Sequence, residues 1–429
     1  MPRALVFYHY LHPDDVVSAV HFTGLCVGLR ERGWDVEAVG CNRACRNDGS
    51  RFPSELVYQG VRIRHAWRPG FRQSAGAGRL LNAAWMIARW CGAALERTNP
   101  DVVIVGSDPI LSVLVAPFWK TLRPHVPVAH WCFDLYPEAA IAAGLLAPSG
   151  IASRTIEAAM GMAYRNCDLI ADLGPCMRRR LERYNSPARK ATLVPWALAE
   201  PPGPVPADPV ERGILFGNAR LGLLYSGTLG RAHSFEPLLR LARQLRKEPV
   251  ALAFGVRGNS TRVLAEALAA GPCGNVRIAP FVTAERLENR LAAADIHVVT
   301  LRQEWTGTVV PSKFFGALAI GRPVLFVGSR QSSIARWIEE HRLGWVLEDG
   351  TSRAVQQELT ALAGNPERLM EMFSHCHRVY RDHFARRLTL GRWNLELTDL
   401  VRLAAPAAHR NRVHSPAAVP AAADRGNRG

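Results

Sequence analysis

From Arg3 to about Glu348, apolar runs of strand length alternate with helix-length amphipathic stretches, and this pattern points to an α/β architecture with parallel sheets. RALVFYH, DVEAVG, DVVIVG, VPVAHWCF, DLIAD and ATLVP read as strands of a first half. LGLLYSG, VALAFGV, NVRIAP, IHVVTL, PVLFVG and GWVLE read as strands of a second. Stretches such as 16–32, 153–166 and SFEPLLRLARQLRK place apolar residues at helical spacing between them. The halves meet at EPPGPVPADPVERG, residues 200–213, whose proline density predicts a stiff linker without helix or central strand. With 429 residues, more than one ordinary core holds, two similar α/β lobes around a hinge are expected. The tail 404–429, rich in Ala, Pro and Arg and poor in apolar bulk, is expected to be disordered.

No apolar stretch approaches the roughly 20 residues that span a bilayer, and the start reads as a first strand instead of a secretion signal. A cytoplasmic chain is expected. A net charge of +16 implies an anionic partner. The basic residues are spread over the whole length and are not gathered on one motif with aromatic platforms, so no nucleic acid is expected. Phosphorylated substrates and an acidic membrane surface remain. The nine cysteines show no CxxC and no repeated spacing, which predicts reduced structural thiols and no metal site.

Two segments carry candidate chemistry. In 296–328 a strand, the loop QEWTGTVVP and a short helix beginning at Ser312 would aim free backbone N–H groups at the end of the strand, with Ser312 as N-cap. Lys313 is then either a solvated residue at a helix start or an anion hook beside Gly307 and Thr308. In 223–239 a strand runs into Gly227-Thr228-Leu229-Gly230, followed by Arg231, His233 and a helix capped by Ser234, which is either a tight turn or a second anion cradle. Both lie at carboxyl ends of strands in one lobe, where open α/β sheets bind nucleotides. Together they favour a diphosphate-containing ligand.

YSGTLGRAHSFEPLL and VVPSKFFGALAIGRPVLFVG resemble the donor-site segments of family-4 retaining glycosyltransferases of the GT-B fold, in the colanic-acid, O-antigen and exopolysaccharide branch. The likeness extends to NPDVVIVGSDPILSVLVA, HWCFDLYPE, DLIADLGPCMRRRLERY and LAAADIHVVTLRQEWTG. It implies a GT-B fold of two Rossmann-like lobes whose parallel sheets face a cleft, with residues 1–199 binding the acceptor and 214–379 the nucleotide-sugar, and helices near 380–402 free to return to the first lobe. It also implies a metal-independent, retaining hexosyl transfer from a UDP-linked sugar to a lipid-linked or saccharide acceptor, with no cofactor. Gly227, Thr228, Gly230, Arg231, Gly307, Thr308, Ser312 and Lys313 would hold the diphosphate, Arg231 and Lys313 neutralising the leaving group. Arg257, Phe281, Val282 and Glu304 would contact the nucleoside. Where many members carry two glutamates seven residues apart, this chain has Thr308 and Gly316, so the usual ribose contact is missing. Where many carry Arg and Lys in the first donor turn it has Thr228 and His233, leaving Arg231 as the replacement.

In the first lobe, the resemblance puts Asp134 near the reacting carbon, as a catalytic carboxylate that orients the acceptor or stabilises an oxocarbenium-like state. The plain alternative is a helix N-cap. Ser107-Asp108-Pro109 reads as a helix start, with acceptor contact as the alternative, and His130 as a core residue. Residues 68–97 mix five arginines with Phe71, Trp85 and Trp90, as an interfacial helix at the membrane does, or as a core-facing helix with snorkelling arginines does. MRRRLERY, 177–184, reads as a solvated helix. The rivals to a transferase are a sugar-nucleotide 2-epimerase and a catalytically silent GT-B protein that binds nucleotide or an anionic polymer.

Overall fold

The computed structural model describes residues 1–46, 49–73, 76–96, 99–258, 260–280, 282 and 284–404. The tail expected to be disordered, beyond Ala404, and Phe281 lie outside them.

The first lobe is an eight-stranded sheet: β1 (Arg3–Phe7), β2 (Asp35–Cys41), β3 (Glu55–Tyr58), β4 (Val61–Ala66), β5 (Val102–Gly106), β6 (Val128–Trp131), β7 (Leu169–Asp172) and β8 (Arg189–Thr192). Its order is β3-β4-β2-β1-β5-β6-β7-β8, parallel throughout except for β3 against β4. The second is a six-stranded parallel sheet of β9 (Leu221–Thr228), β10 (Val250–Arg257), β11 (Val276–Ala279), β12 (Ile296–Thr300), β13 (Val324–Val327) and β14 (Gly344–Leu347). Its order is β11-β10-β9-β12-β13-β14, a doubly wound arrangement. Central strands such as β5, β6 and β12 are buried at every residue, which is why they read as unbroken apolar runs.

Two features depart from the sequence expectation. The edge hairpin β3–β4 alternates buried Val61, Ile63 and His65 with outward Arg62 and Arg64, so it shows no apolar run. Its turn is Gln59-Gly60, both at positive φ (48° and 78°), a two-residue connection of the kind that suits a twisted hairpin. The end of the proline-rich segment is a helix, Pro209–Phe216. Asp208 caps it by accepting from the N–H groups of Val210 (2.9 Å) and Glu211 (3.0 Å), and proline at the first helical position sacrifices no bond.

The rest of that segment is tied to the second lobe by Arg322, the arginine of Gly-Arg-Pro. Its buried guanidinium donates to Val205 O (2.6 Å), Ala292 O (2.7 Å), Ala294 O (2.7 Å) and Ile320 O (3.0 Å). The C-terminal helix Arg386–Ala404 packs on the first lobe, where Trp393 meets Trp131 edge-on at 5.4 Å and Asn394 accepts from Trp34 Nε1 at 2.8 Å. One hydrophobic cluster runs across the lobes, since Phe314, Phe315, Phe326 and Trp337 join the residues of β1, β5 and β6, while Leu223, Tyr225, Leu252 and Phe254 belong to a separate core of the second lobe.

The carboxyl ends of the two sheets face each other. Leu135 N–H donates to Thr308 O across the lobes at 3.2 Å, and Arg180 Nε to Thr306 O at 2.7 Å. The helix Pro175–Glu182 is therefore a lobe contact, where a solvated helix was expected. Arg178 lies within it and pairs at 2.7 Å with the buried Asp172.

Candidate functional site

On the second-lobe side, β9 ends at Gly227 with φ +119°, a conformation that L side chains rarely adopt. Lys313, first residue of the helix Lys313–Ala319, reaches across to this turn. Its Nζ donates to Tyr225 OH (2.7 Å) and Thr228 O (3.3 Å) and lies 3.9 Å from the centre of the Tyr225 ring. A Cβ on Gly227 would stand 3.0 Å from Lys313 Cε, so glycine makes room for the lysine. No carboxylate pairs with Lys313 among the described residues, and desolvation lowers its pKa to about 7. Lys313 is half-buried, held by the Tyr225 and Thr228 oxygens at the turn, with part of its side chain still open to solvent.

His233 lies close by. Its Nδ1 donates to Thr300 O at 2.7 Å, and burial, then the charge of Lys313, lower it to about 4, so the imidazole is neutral. Arg231 is exposed on the turn with no hydrogen bond or ion pair among the described residues. Gly230 lies on the same turn, and Thr228 takes part through its carbonyl, which also accepts from Tyr225 OH at 3.1 Å. Arg257 ends β10 facing the first lobe. Burial lowers its pKa, as does the charge of Arg46 across the cleft, against the opposite pull of Asp15. Val282 is half-buried, and Glu304 stands exposed in the turn Gln303–Trp305 without a partner among the described residues.

Three expectations change here. Gly307 (φ +77°) faces the first lobe: a Cβ would be 2.5 Å from Cys176 O and 3.0 Å from Arg180 Nε. Its glycine serves the close approach of the lobes, where approach to a phosphate was expected. Thr308 is fully buried and its N–H is already bonded to Trp305 O at 2.9 Å, which leaves its Oγ1, without a partner among the described residues, as the one donor it could offer. Ser312 occupies the N-cap position, but its side chain makes no cap bond.

On the first-lobe side, Asp134 follows β6. It does not cap a helix, since the next one starts at Glu138 behind Pro137. The N–H groups of Phe133 and Asp134 both donate to Ser107 Oγ, at 3.1 and 3.2 Å, which fixes the backbone. The Asp134 carboxyl makes no hydrogen bond among the described residues, and burial, then Asp108, push its pKa up to about 7.

Asp108, at the end of β5, holds His9, at the end of β1, with Oδ1···Nδ1 at 3.0 Å. Burial pulls His9 down, but Asp108 and Cys41 outweigh it and lift it to about 9, so this imidazole is charged at neutral pH. Three adjacent strands thus bring His9, Asp108 and Asp134 to one spot. Sequence reading missed His9 and read Asp108 first as a helix start and second as an acceptor contact, whereas the next helical element begins only at Ser112. The available signal was a polar residue directly after each of two apolar runs, in FYHY and VGSDP. Among the described residues no group of three or more His, Cys, Asp or Glu could hold a metal ion.

Residues 18–197 match the model of the glycosyl transferase 4-like domain, and residues 220–365 that of glycosyl transferases group 1. The chain is built of glycosyltransferase domains. These transferase domains are 26% identical over 249 residues, 57% of the chain, to the probable glycosyltransferase WbjE of Pseudomonas aeruginosa. The putative colanic acid biosynthesis glycosyl transferase WcaI of Escherichia coli is 25% identical over 117 residues, 27% of the chain. The matched segments span 62% of WbjE and 29% of WcaI. In fold, the chain is similar to HepE from Anabaena, solved with UDP and glucose, at a TM-score of 0.63 and 12% identity over 93% of this chain and all of that one. The two lobes form the GT-B fold.

Proposed function

We propose that the protein transfers a sugar, with retention, from a nucleoside-diphosphate donor to a lipid-linked or saccharide acceptor in surface polysaccharide biosynthesis, with UDP as the expected nucleotide. The observation that carries this is Lys313, half-buried at the end of β9 with neutral oxygens alone as partners among the described residues. A partly desolvated cation without a counter-ion favours an anion that arrives with the ligand. Arg231, unengaged on the same turn, is the second cation. As the bond from the anomeric carbon to the diphosphate breaks, both stabilise the charge on the leaving oxygen, the role a divalent cation would otherwise take. The new bond forms to an acceptor hydroxyl that Asp134 orients, and the hydroxyl proton passes to the diphosphate oxygen that leaves the anomeric carbon. Arg257, Val282 and Glu304 line the nucleoside side. The similarity to WcaI, named for colanic acid biosynthesis, supports the polysaccharide context, and the net charge of +16 supports work at an acidic membrane surface from the cytoplasmic side.

Calorimetry with UDP and GDP tests the reading directly. Micromolar binding of one of them, lost in Lys313→Ala and weakened in Arg231→Ala, is the expected result. Nucleotide affinity unchanged in both variants would remove the donor assignment.

A further inference from the structure

The helix Gly76–Ala93 is apolar on both sides. Its inner face sends Ala83, Met86 and Trp90 into the core. Its outer face presents Leu80 (52% exposed), Leu81 (54%) and Trp85 (40%), where a surface helix ordinarily turns polar. Trp67 stands edge-on to Trp85, centroids 5.1 Å apart, and Phe71 is exposed as well. Trp85 Nε1–H donates to Trp67 O at 2.8 Å, so this indole can enter an apolar phase without an orphaned donor.

The charge around this face has one sign. From Gln59 to Leu95 the sequence contains six arginines and no Asp or Glu. Arg72, Arg79 and Arg89 are exposed and form no ion pair among the described residues. The start of the helix also stands beside the carboxylates of the first lobe. Burial, Asp134 and Asp108 push the Tyr136 phenol up, and the charge of Arg79 acts against them.

We propose that this outer face, with Trp67 and Phe71, is the surface on which the protein lies on an acidic bilayer, the apolar side chains at the acyl boundary and Arg72, Arg79 and Arg89 at the level of the phosphates. A second copy of the chain is the rival occupant. A two-fold contact would set the same arginines against each other with no acid on the face to pair them, whereas an anionic lipid surface complements them. The position beside Tyr136 lets a lipid-linked acceptor reach the cleft without leaving the bilayer. That consequence rests on the transfer reading, while the docking itself does not.

The test is sedimentation of the full chain with vesicles of phosphatidylcholine alone or mixed with phosphatidylglycerol. Binding to the mixed vesicles with a blue shift of tryptophan emission, at least about tenfold weaker to phosphatidylcholine, is expected from the arginine charge. Leu81→Asp should cut binding about tenfold or more, and the pair Arg72→Ala with Arg89→Ala on the order of thirtyfold, at about 1 kcal/mol per arginine near the surface. UDP affinity measured on the same variants should not change, which certifies their fold. Absence of vesicle binding at low salt, equal binding to both vesicle types, or a dimer in sedimentation that Leu81→Asp dissociates would each overturn the proposal. Vesicle binding as expected in a protein that binds neither UDP nor GDP would remove the transfer reading and leave the docking surface standing.

Discussion

At the end of β9, Lys313 is half-buried with two neutral oxygens for partners, while at the end of β6 Asp134 is half-buried with Asp108 beside it and no hydrogen bond to its carboxyl among the described residues. Desolvation acts on both and moves them in opposite directions, Lys313 down to about 7 and Asp134 up to about 7. For Lys313, whose folded value lies below the unfolded one, the cost to stability is complete below about pH 7 and is relieved as pH rises toward the ordinary lysine range. For Asp134, whose folded value lies above, the cost grows from the ordinary carboxyl range and is complete above about 7. Near neutrality each end of the cleft holds a charge that its own lobe leaves unbalanced. The difference lies in the neighbours: nothing in the second lobe offsets Lys313, whereas Asp108 is itself held by the charged His9.

Substitutions at the two ends should therefore separate binding from turnover. Asp134→Asn keeps the shape and removes the charge, and should lower turnover about 10³-fold with UDP affinity intact, read by steady-state kinetics beside calorimetry. An equal loss of UDP affinity would show that the two ends are not distinct. Lys313→Ala should lower turnover about 10²-fold and weaken UDP as well. In the unaltered protein, UDP must meet the charged lysine, so above about pH 7 its affinity should fall toward tenfold per pH unit, with uptake of a proton visible in buffers of different ionisation heat. Flat affinity from pH 7 to 9 would break the donor half of the comparison.

Gly307→Ala attacks what holds the ends opposite each other. The added Cβ meets Cys176 O, and a loss of about 2 kcal/mol of stability in denaturant unfolding is expected. The smallest effect belongs to His9→Gln. Asp134 is faced by Asp108, Tyr8, Tyr136 and Cys132, and His9 offsets only the first. Removing it should raise the acid limb of the pH–rate profile by about half a unit. A general loss of activity with that limb unmoved would make His9 a packing residue.

Twelve of the fourteen strands were legible, most because they are short apolar runs, the direct signature of a strand buried on both faces, whereas the edge strands β8 and β11 are mostly half-buried or exposed. The β3–β4 hairpin was not, since a half-exposed edge interleaves arginines with its apolar residues, and only Gln59-Gly60 betrays it. The helix at Pro209 was hidden by the general expectation that prolines exclude helices, although Asp-Pro is a favoured start. The positions of Lys313 and Asp134 were legible because Lys313 opens a helix behind a Pro-Ser turn and Asp134 comes shortly after the end of β6.

Alone, the sequence determined where most of the elements lie, that a lysine opens a helix and that an aspartate follows a strand, because periodicity, caps and turns act over a few residues. It did not determine that His9 meets Asp108 across 99 residues, that Gly307 serves the contact between lobes, or that the helix Gly76–Ala93 is apolar toward both core and solvent. Those follow from which surfaces the fold brings together. Only the tertiary structure decided them, because the charge a site carries depends on the water it excludes and on neighbours distant in the chain.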